Sequence, residues 1–353
     1  MSVGGSLTGA DAGNYTLVAN TTTTANITPK AITGALTAAG KVYDGLRDAA
    51  TTGTLNGVVQ GDNVAVNATG LFGDKNVGNG KLVAVNGVLT GADAGNYTLS
   101  TNATTLANIT PKALTGAITA AGKTYDGTTA ASTTGTLNGV VQGDNVALST
   151  TGAFADKNAA IGKLVNVTGS LTGADAGNYT VSANGTTTAT IAARQLNGAL
   201  GALDKVYDGD TVATVTGADA IAGIIAGDAL GVAGSFSDKN AGEGKSVAFA
   251  LTGGDAGNYV LNAADARAAI ARRVLGIDGT TVAGKVYDGS TSAQASAGSL
   301  TNLVEGESLA VGTTATFDNA NAGSRNANVR YALADGDNGL ASNYVLADTQ
   351  HQA

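Results

Sequence analysis

The tripeptide Tyr-Asp-Gly occurs four times in this chain of 353 residues, beginning at Tyr43, Tyr125, Tyr207 and Tyr287. The intervals are 82, 82 and 80 residues, and a second motif, Asp-Ala-Gly-Asn-Tyr, recurs with the same period. Self-similarity at a fixed period indicates a tandem array. A period of this length exceeds that of solenoid repeats and falls within the size range of self-contained domains. The chain is therefore predicted to be a row of small domains, each with its own core, that forms an extended rod.

Short sequences of the type Thr-Pro-Lys, at residues 28–30 and 110–112, mark the seams between repeats, and basic residues take the equivalent places later in the chain. These seams predict a C-terminal part of a truncated repeat at 1–29, repeat 1 at 30–111, repeat 2 at 112–193, repeat 3 at 194–272, and a diverged repeat 4, incomplete at its end, at 273–353. We expect the chain to be a piece of a longer protein.

The local pattern within a repeat is that of strands and turns. Residues 81–89 are rich in β-branched side chains, Tyr97 begins an alternating segment, and Asp44-Gly45 is a strong tight-turn signal. Residues 55–62 are the only candidate for a helical turn. The chain is predicted to be all-β, with Ig-like sandwich modules of about 82 residues. A β-grasp-like module with one short helix is the alternative.

The repeated aromatic residues are interpreted as the structural core, because a buried aromatic side chain covers about 150–250 Å². The alternative is a tyrosine-lined sugar platform. Tyr331 lies outside both motifs and is expected to point outward from a strand. The predicted core consists of Tyr43, Phe72, Tyr97, Tyr125, Phe154, Tyr179, Tyr207, Phe236, Tyr259, Tyr287, Phe317 and Tyr344.

Side chains with oxygen donors recur from repeat to repeat, so a calcium site is an alternative interpretation of these residues. Asp93 and Asn96, with their counterparts Asp175 and Asn178, are the candidate ligands. Their spacing matches neither an EF-hand loop nor the calcium-binding nonapeptide repeat. Capping of turns by Asp and Asn explains the same residues, so we expect no cofactor, with calcium as the weaker interpretation.

Composition leaves little material for catalysis. The chain has no cysteine and one histidine, His351 near its end, so thiol chemistry and histidine-dependent triads cannot be assembled. The net charge of −8 argues against nucleic acid and anionic membranes as partners. No apolar run approaches the length of a membrane span, so no membrane insertion is expected.

Several ordered motifs of repeat 1 resemble one known family. Lys41-Val42-Tyr43-Asp44-Gly45, Phe72-Gly73-Asp74-Lys75-Asn76 and Leu89 to Tyr97 are similar to the YDG-type repeat of large bacterial adhesins resembling filamentous haemagglutinin. The resemblance covers nearly the whole chain. It implies export to the surface of a Gram-negative bacterium, a stalk role within an adhesin, and no catalytic residues. Repeat 4 departs from the pattern, with Asp318-Asn319-Ala320 for Asp-Lys-Asn and Glu307 for Asp.

Three functional classes follow. The first is a non-enzymatic spacer whose partners are neighbouring repeats of a longer parent chain. The second is a repeated carbohydrate- or calcium-binding module that contacts host or matrix glycans. The third is a homo-assembling filament in which residues 1–29 donate a strand to the unfinished repeat of a neighbour.

Overall fold

The structure is a computed structural model that describes residues 4–19 and 22–347. These residues form β-strands and short 3₁₀ helices, with no α-helix among them, which confirms the all-β prediction. In the same part of the chain, no helix is long and apolar enough to cross a membrane. His351 lies outside the described residues.

The chain divides into two compact units, which do not coincide with the repeats. Unit 1 consists of residues 1–119, 133–152 and 166–187, and so contains repeat 1 and more than half of repeat 2. Unit 2 contains the remaining segments of repeat 2 with repeats 3 and 4, and consists of residues 120–132, 153–165 and 188–353.

Repeat 1 is a sandwich of two sheets. Its strands are β1 (Lys30–Ala38), β2 (Lys41–Val42), β3 (Asp48–Ala49), β4 (Thr51–Asn56), β5 (Ala65–Phe72), β6 (Gly78–Thr90), β7 (Tyr97–Thr101) and β8 (Thr104–Thr110). One sheet has the order β4-β1-β7 and the other has the order β2-β8-β6-β5-β3. In both sheets the first strand pairs in parallel with a late one, β1 with β7 and β2 with β8.

The core of repeat 1 lies between these sheets, because alternate side chains of each strand point inward. Val83 and Val85 of β6 are buried, whereas their neighbour Leu82 is exposed. In the other sheet, Leu36 of β1 lies over Gly53, its cross-strand partner in β4, and a Cβ added to Gly53 would be 2.7 Å from Leu36 Cδ2. The small residue allows a compact core in a chain with few large aromatics.

Repeats 2 to 4 contain the corresponding strands. Those of repeat 2 are β9 (Lys112–Ala120), β10 (Lys123–Thr124), β11 (Ala130–Ala131), β12 (Thr133–Asn138), β13 (Ala147–Phe154), β14 (Ala160–Thr172), β15 (Tyr179–Ser182) and β16 (Gly185–Ala192). Those of repeat 3 are β17 (Arg194–Asn197), β18 (Gly201–Ala202), β19 (Lys205–Val206), β20 (Val212–Ala213), β21 (Val215–Thr216), β22 (Gly231–Phe236), β23 (Gly242–Thr252), β24 (Tyr259–Asn262) and β25 (Ala266–Ala271). Those of repeat 4 are β26 (Arg273–Asp278), β27 (Thr281–Ala283), β28 (Ser292–Ser296), β29 (Ser299–Thr301), β30 (Leu309–Phe317), β31 (Ala327–Asp335) and β32 (Tyr344–Leu346).

The expected helical turn at residues 55–62 is wrong. Strand β4 continues to Asn56, and a turn follows in which the Asp62 amide donates to the carbonyl of Val59. The short helices lie elsewhere, as single 3₁₀ turns at Ala12–Asn14, Ala94–Asn96, Ala176–Asn178, Ala218–Ala220, Ala256–Asn258 and Ala341–Asn343. The β-grasp alternative needs a helix packed on a sheet, and the described residues contain none.

Successive repeats are connected without a linker. The last strand of one repeat and the first strand of the next are separated by one residue each time: Pro111, Ala193 or Arg272. Such short connections restrict how far two neighbouring repeats can move apart.

Candidate functional site

A buried carboxylate joins each repeat to the one before it. Within unit 1, the Tyr43 hydroxyl donates to Asp144 Oδ2 over 2.7 Å, and the Tyr179 hydroxyl donates to the same oxygen over 2.6 Å. The Asp144 side chain is 2% exposed. The two phenol rings touch edge to face, with their centroids 5.3 Å apart. One acid of repeat 2 is therefore shared by tyrosines from two repeats.

A lysine of the earlier repeat completes the charge balance. Lys75 Nζ lies 2.8 Å from Asp144 Oδ1 and 5.8 Å from the centroid of the Tyr43 ring. Lys75 is 39% exposed, so its ammonium remains partly hydrated while the carboxylate is not. A cation over an aromatic face adds attraction to the ion pair.

An asparagine of the later repeat makes the second contact. Asn178 Oδ1 accepts a hydrogen bond of 2.9 Å from the Val77 amide, and Asn178 Nδ2 donates to Asn76 Oδ1. Asn178 is buried, so these bonds satisfy a side chain that would otherwise be costly to remove from water. We call Tyr43, Lys75, Asp144, Asn178 and Tyr179 a junction cluster, and use the same name for their equivalents.

Unit 2 contains the junction cluster two more times. The Tyr125 and Tyr259 hydroxyls both donate to Asp228, and the Tyr207 and Tyr344 hydroxyls both donate to Glu307. Lysine and asparagine keep their roles in Lys157 with Asn258 and in Lys239 with Asn343. In repeat 4, Glu307 thus accepts the hydrogen bonds that Asp144 and Asp228 accept in the earlier repeats, although its side chain is one methylene longer.

Local turns position these side chains. Tyr43 follows β2, where its amide donates to the Thr110 carbonyl. The next residue, Asp44, accepts from the Leu46 amide, and Gly45 has a φ of +82°, a conformation that glycine adopts readily. An added Cβ at Gly45 would lie 2.8 Å from Val141 Cγ1, so the tight turn also lets the following repeat approach.

The electrostatics of the cluster follow from burial and charge. Hydrogen bonds from Lys157 and Tyr259 lower the pKa of Asp228 to about 2. For Asp144, burial acts in the opposite direction, but Lys75 and the two tyrosines outweigh it and the net pKa is lowered. Burial, with the hydrogen bond to Asp144, raises the pKa of Tyr179 to about 12. Each carboxylate is therefore charged and each phenol neutral at neutral pH.

The calcium candidates serve as hydrogen-bond acceptors in the structure. Asp93 Oδ2 accepts from the Asn63 amide, and Asp175 Oδ2 accepts from the Asn145 amide, each over 2.9 Å. Asn178 belongs to the junction cluster, whereas Asn96 is exposed. Across residues 4–19 and 22–347, no group of three or more His, Cys, Asp or Glu side chains is arranged to hold a metal ion.

The structure places most of the predicted core residues in the interior, with two differences. Tyr287 is 67% exposed, contrary to the expectation, because no acid and no second tyrosine of the described residues packs against it. Phe317 of the same repeat is only half-buried. The ten buried residues are Tyr43, Phe72, Tyr97, Tyr125, Phe154, Tyr179, Tyr207, Phe236, Tyr259 and Tyr344.

The expectation that Tyr331 points outward is wrong. Its ring is buried and its hydroxyl lies 2.8 Å from Thr280 Oγ1. It occupies β31 opposite Thr313, on the inner face of a repeat in which Tyr344 is the only other fully buried aromatic residue among those the structure describes. A single tyrosine outside the repeated motifs gave no signal of this role.

The contacts between the repeated tyrosines also differ from the expectation that each repeat has its own core. The sequence suggested that the two tyrosines of one repeat anchor the same core, yet Tyr43 packs against Tyr179 of the next repeat. Asp144 and Lys75 were not predicted as site residues. In repeat 4, the Asn321 amide donates to Asn319 Oδ1, as Asn76 does to Asp74. This places Ala320 where the other repeats have the cluster lysine.

Tandem β-sandwich repeats joined by buried polar clusters define the class of this protein. The sequence matches the YDG domain family over residues 28–105, 110–190, 188–267 and 271–351. The chain therefore belongs to the YDG domain family, as its motifs predicted. No curated protein matches it. Among solved structures, the crystal structure of Drosophila N-cadherin EC1-4 is 8% identical, with a TM-score of 0.18 over 68% of this chain and 77% of that chain.

Proposed function

We propose that this chain is a non-enzymatic spacer of a secreted bacterial surface adhesin, and that it holds a distal binding region away from the cell. Its partners in this role are neighbouring repeats of the parent chain. Its location is the exterior of a Gram-negative bacterium. The proposal rests on the family, on the motif order, and above all on the junction clusters.

The junction cluster supports a spacer because it resists bending at the seam. A hinge at Pro111 would have to expose the Asp144 carboxylate, which is 2% exposed and accepts three hydrogen bonds. Removing one partner from a buried charge is costly, about 3–5 kcal/mol in typical cases. Repetition of the cluster at every seam therefore favours a fixed relation between neighbours over free rotation.

Small-angle scattering tests the spacer proposal. Four domains of this size in line should span roughly 130–160 Å. Deletion of one whole repeat, residues 112–193, should shorten the particle by about a quarter while leaving its cross-section unchanged. A maximum dimension close to that of a single globule of 353 residues would contradict the proposal. Specific binding to a glycan array, lost with a calcium chelator, would instead favour the binding-module class.

A further inference from the structure

An early strand and the last strand of repeats 1 to 3 pair in parallel. In repeat 1, β2 pairs with β8 through Lys41 with Ile109 and Val42 with Thr110. The same pairing joins β10 to β16 in repeat 2 and β19 to β25 in repeat 3. We call each of these pairs the closing pair of its repeat, because its second strand is the last one before the seam.

A parallel pair is suited to carry tension along the chain. Tension pulls the early strand toward the N-terminus and the last strand toward the C-terminus. In a parallel pair, the start of one strand and the end of the other lie at opposite ends of the ladder, so the strands must slide past each other and all their hydrogen bonds must break together. In an antiparallel pair these two points lie at the same end, and the bonds break one at a time. The closing pair is therefore loaded in the stronger geometry.

The closing pair is short, and the tyrosine of the Tyr-Asp-Gly motif extends it. In repeat 2, the Tyr125 amide follows β10 directly and donates to the Ala192 carbonyl over 2.8 Å. The Tyr125 side chain is 0% exposed, and its hydroxyl donates to Asp228 of repeat 3. The backbone of Tyr125 is thus bonded to the last strand of its own repeat, while its side chain is bonded to the next repeat.

The strands of this closing pair cannot slide unless the Tyr125 ring leaves the junction cluster. The ring contacts the Tyr259 ring, with the two centroids 5.4 Å apart, and Lys157 Nζ lies 5.9 Å from the Tyr125 centroid. The Tyr-Asp-Gly turn also abuts repeat 3, because a Cβ added to Gly127 would lie 2.9 Å from Ile225 Cγ2. Repeat 3 therefore holds the closing pair of repeat 2 in place.

This dependence has one direction. Repeat 3 keeps its own bond to the shared acid, since the Tyr259 hydroxyl donates to Asp228 over 2.6 Å within the repeat. The closing pair of repeat 3 is followed by Tyr207, whose hydroxyl donates to Glu307 of repeat 4. Unfolding of repeat 2 would leave both contacts intact, whereas unfolding of repeat 3 would remove the acid that binds Tyr125.

We propose that the later repeat at each junction cluster stabilises the closing pair of the earlier repeat against tension. When a repeat unfolds under force, the repeat before it loses this support and yields next, so unfolding spreads toward the N-terminus one repeat at a time. The inference rests on strand topology and on the junction clusters, and not on the spacer proposal. A chain that unfolds in this way but is compact in scattering would refute the spacer alone.

Magnetic tweezers test the response to tension on the whole chain. Held through its two ends, the chain should extend in steps that each match one repeat, roughly 250–300 Å. Handles on Ala65→Cys and Thr90→Cys, in a chain that has no other cysteine, pull β5 and β6 apart from one end, because these two residues are an antiparallel pair. This hairpin should open at no more than half the force. Gradual extension through the chain ends, or equal forces for the two attachments, would overturn the proposal.

Buried thiols identify the repeat that unfolds. Val165 of repeat 2 and Val247 of repeat 3 occupy equivalent positions and are both 0% exposed. A thiol-reactive dye should therefore label Val165→Cys or Val247→Cys only after the repeat that carries it has opened. Two substitutions weaken the seam between these repeats from opposite sides, Tyr125→Phe in repeat 2 and Asp228→Asn in repeat 3.

At constant tension, both substitutions should speed labelling at position 165 at least tenfold, because each removes a hydrogen bond to a charged group and forced unfolding follows the unfolding rate. Tyr125→Phe should leave labelling at position 247 unchanged, since Tyr259 still donates to Asp228. Tyr331→Phe is the matched control for position 165, because its hydroxyl contacts Thr280 within repeat 4. Faster labelling at 247 with Tyr125→Phe, or an effect of Asp228→Asn confined to repeat 3, would overturn the proposal.

Discussion

Replacement of Asp144 by Asn should loosen the seam between repeats 1 and 2 without unfolding either repeat. The change preserves the size of the side chain but removes its charge and converts one acceptor into a donor. Asp144 receives hydrogen bonds from Tyr43, Tyr179 and Lys75, at distances of 2.6–2.8 Å. In the variant, an amide group must face donors where a carboxylate faced them before.

The size of the effect follows from burial. A hydrogen bond to a charged group contributes about 1.5–3 kcal/mol. The Lys75 share is discounted because its side chain is 39% exposed and its ammonium is hydrated in either state. Both tyrosines donate to Oδ2 and Lys75 donates to Oδ1, so the amide oxygen of the variant can accept from the tyrosines only if its NH2 group faces the Lys75 ammonium. We therefore expect the free energy of opening the junction to fall by about 2–3 kcal/mol, which corresponds to roughly 30- to 150-fold in the opening equilibrium.

Hydrogen exchange on the whole chain measures this opening at a defined atom. The Val77 amide donates to Asn178 across the junction, so its exchange reports separation of the two repeats. Asp62→Asn is the matched control: Asp62 also accepts from a tyrosine, Tyr97, but no earlier Tyr-Asp-Gly tyrosine contacts it. Faster exchange at Val77 in both variants, or in neither, would refute the reasoning.

Three further predictions concern stability. Tyr125→Ala should cost about 3–5 kcal/mol, as for other buried aromatics, whereas the exposed Tyr287→Ala should change stability by about 0.5 kcal/mol or less; thermal melts of the two variants compare them. Because the pKa of Asp228 is lowered to about 2, the contribution of Asp228 to the stability of the folded chain should be complete above about pH 4 and should be lost as the pH falls toward 2. Near-ultraviolet circular dichroism can follow this loss. Loss of the signal already at pH 6 would contradict the prediction. Gly45→Val should destabilise more than Gly289→Val by about 1–3 kcal/mol in denaturant unfolding, since both have positive φ but only Gly45 abuts the next repeat; equal losses would show that the contact is unimportant.

Much of the fold was accessible from the sequence because its determinants are local. The period of the motifs predicts the number and size of the repeats. Alternation in segments such as residues 81–89 predicts strands, and the Asp44-Gly45 pair predicts a turn that the structure builds with an aspartate acceptor and a positive φ. The glycine-flanked segment 55–62 does not form the predicted helical turn, because a turn after a strand and a short helical turn have similar composition.

That this protein is a row of β modules follows from its amino-acid sequence alone, since strand periodicity and turn chemistry act over a few residues. The contact of Tyr43 with Tyr179, rather than with Tyr97, depends on how the modules pack in three dimensions. Every repeat carries the same motifs, so sequence gives no basis for choosing between partners in the same module and partners in the next. The burial of Tyr43 and exposure of Tyr287, within identical tripeptides, have the same origin: the environment of each tyrosine is supplied by the repeat that follows it.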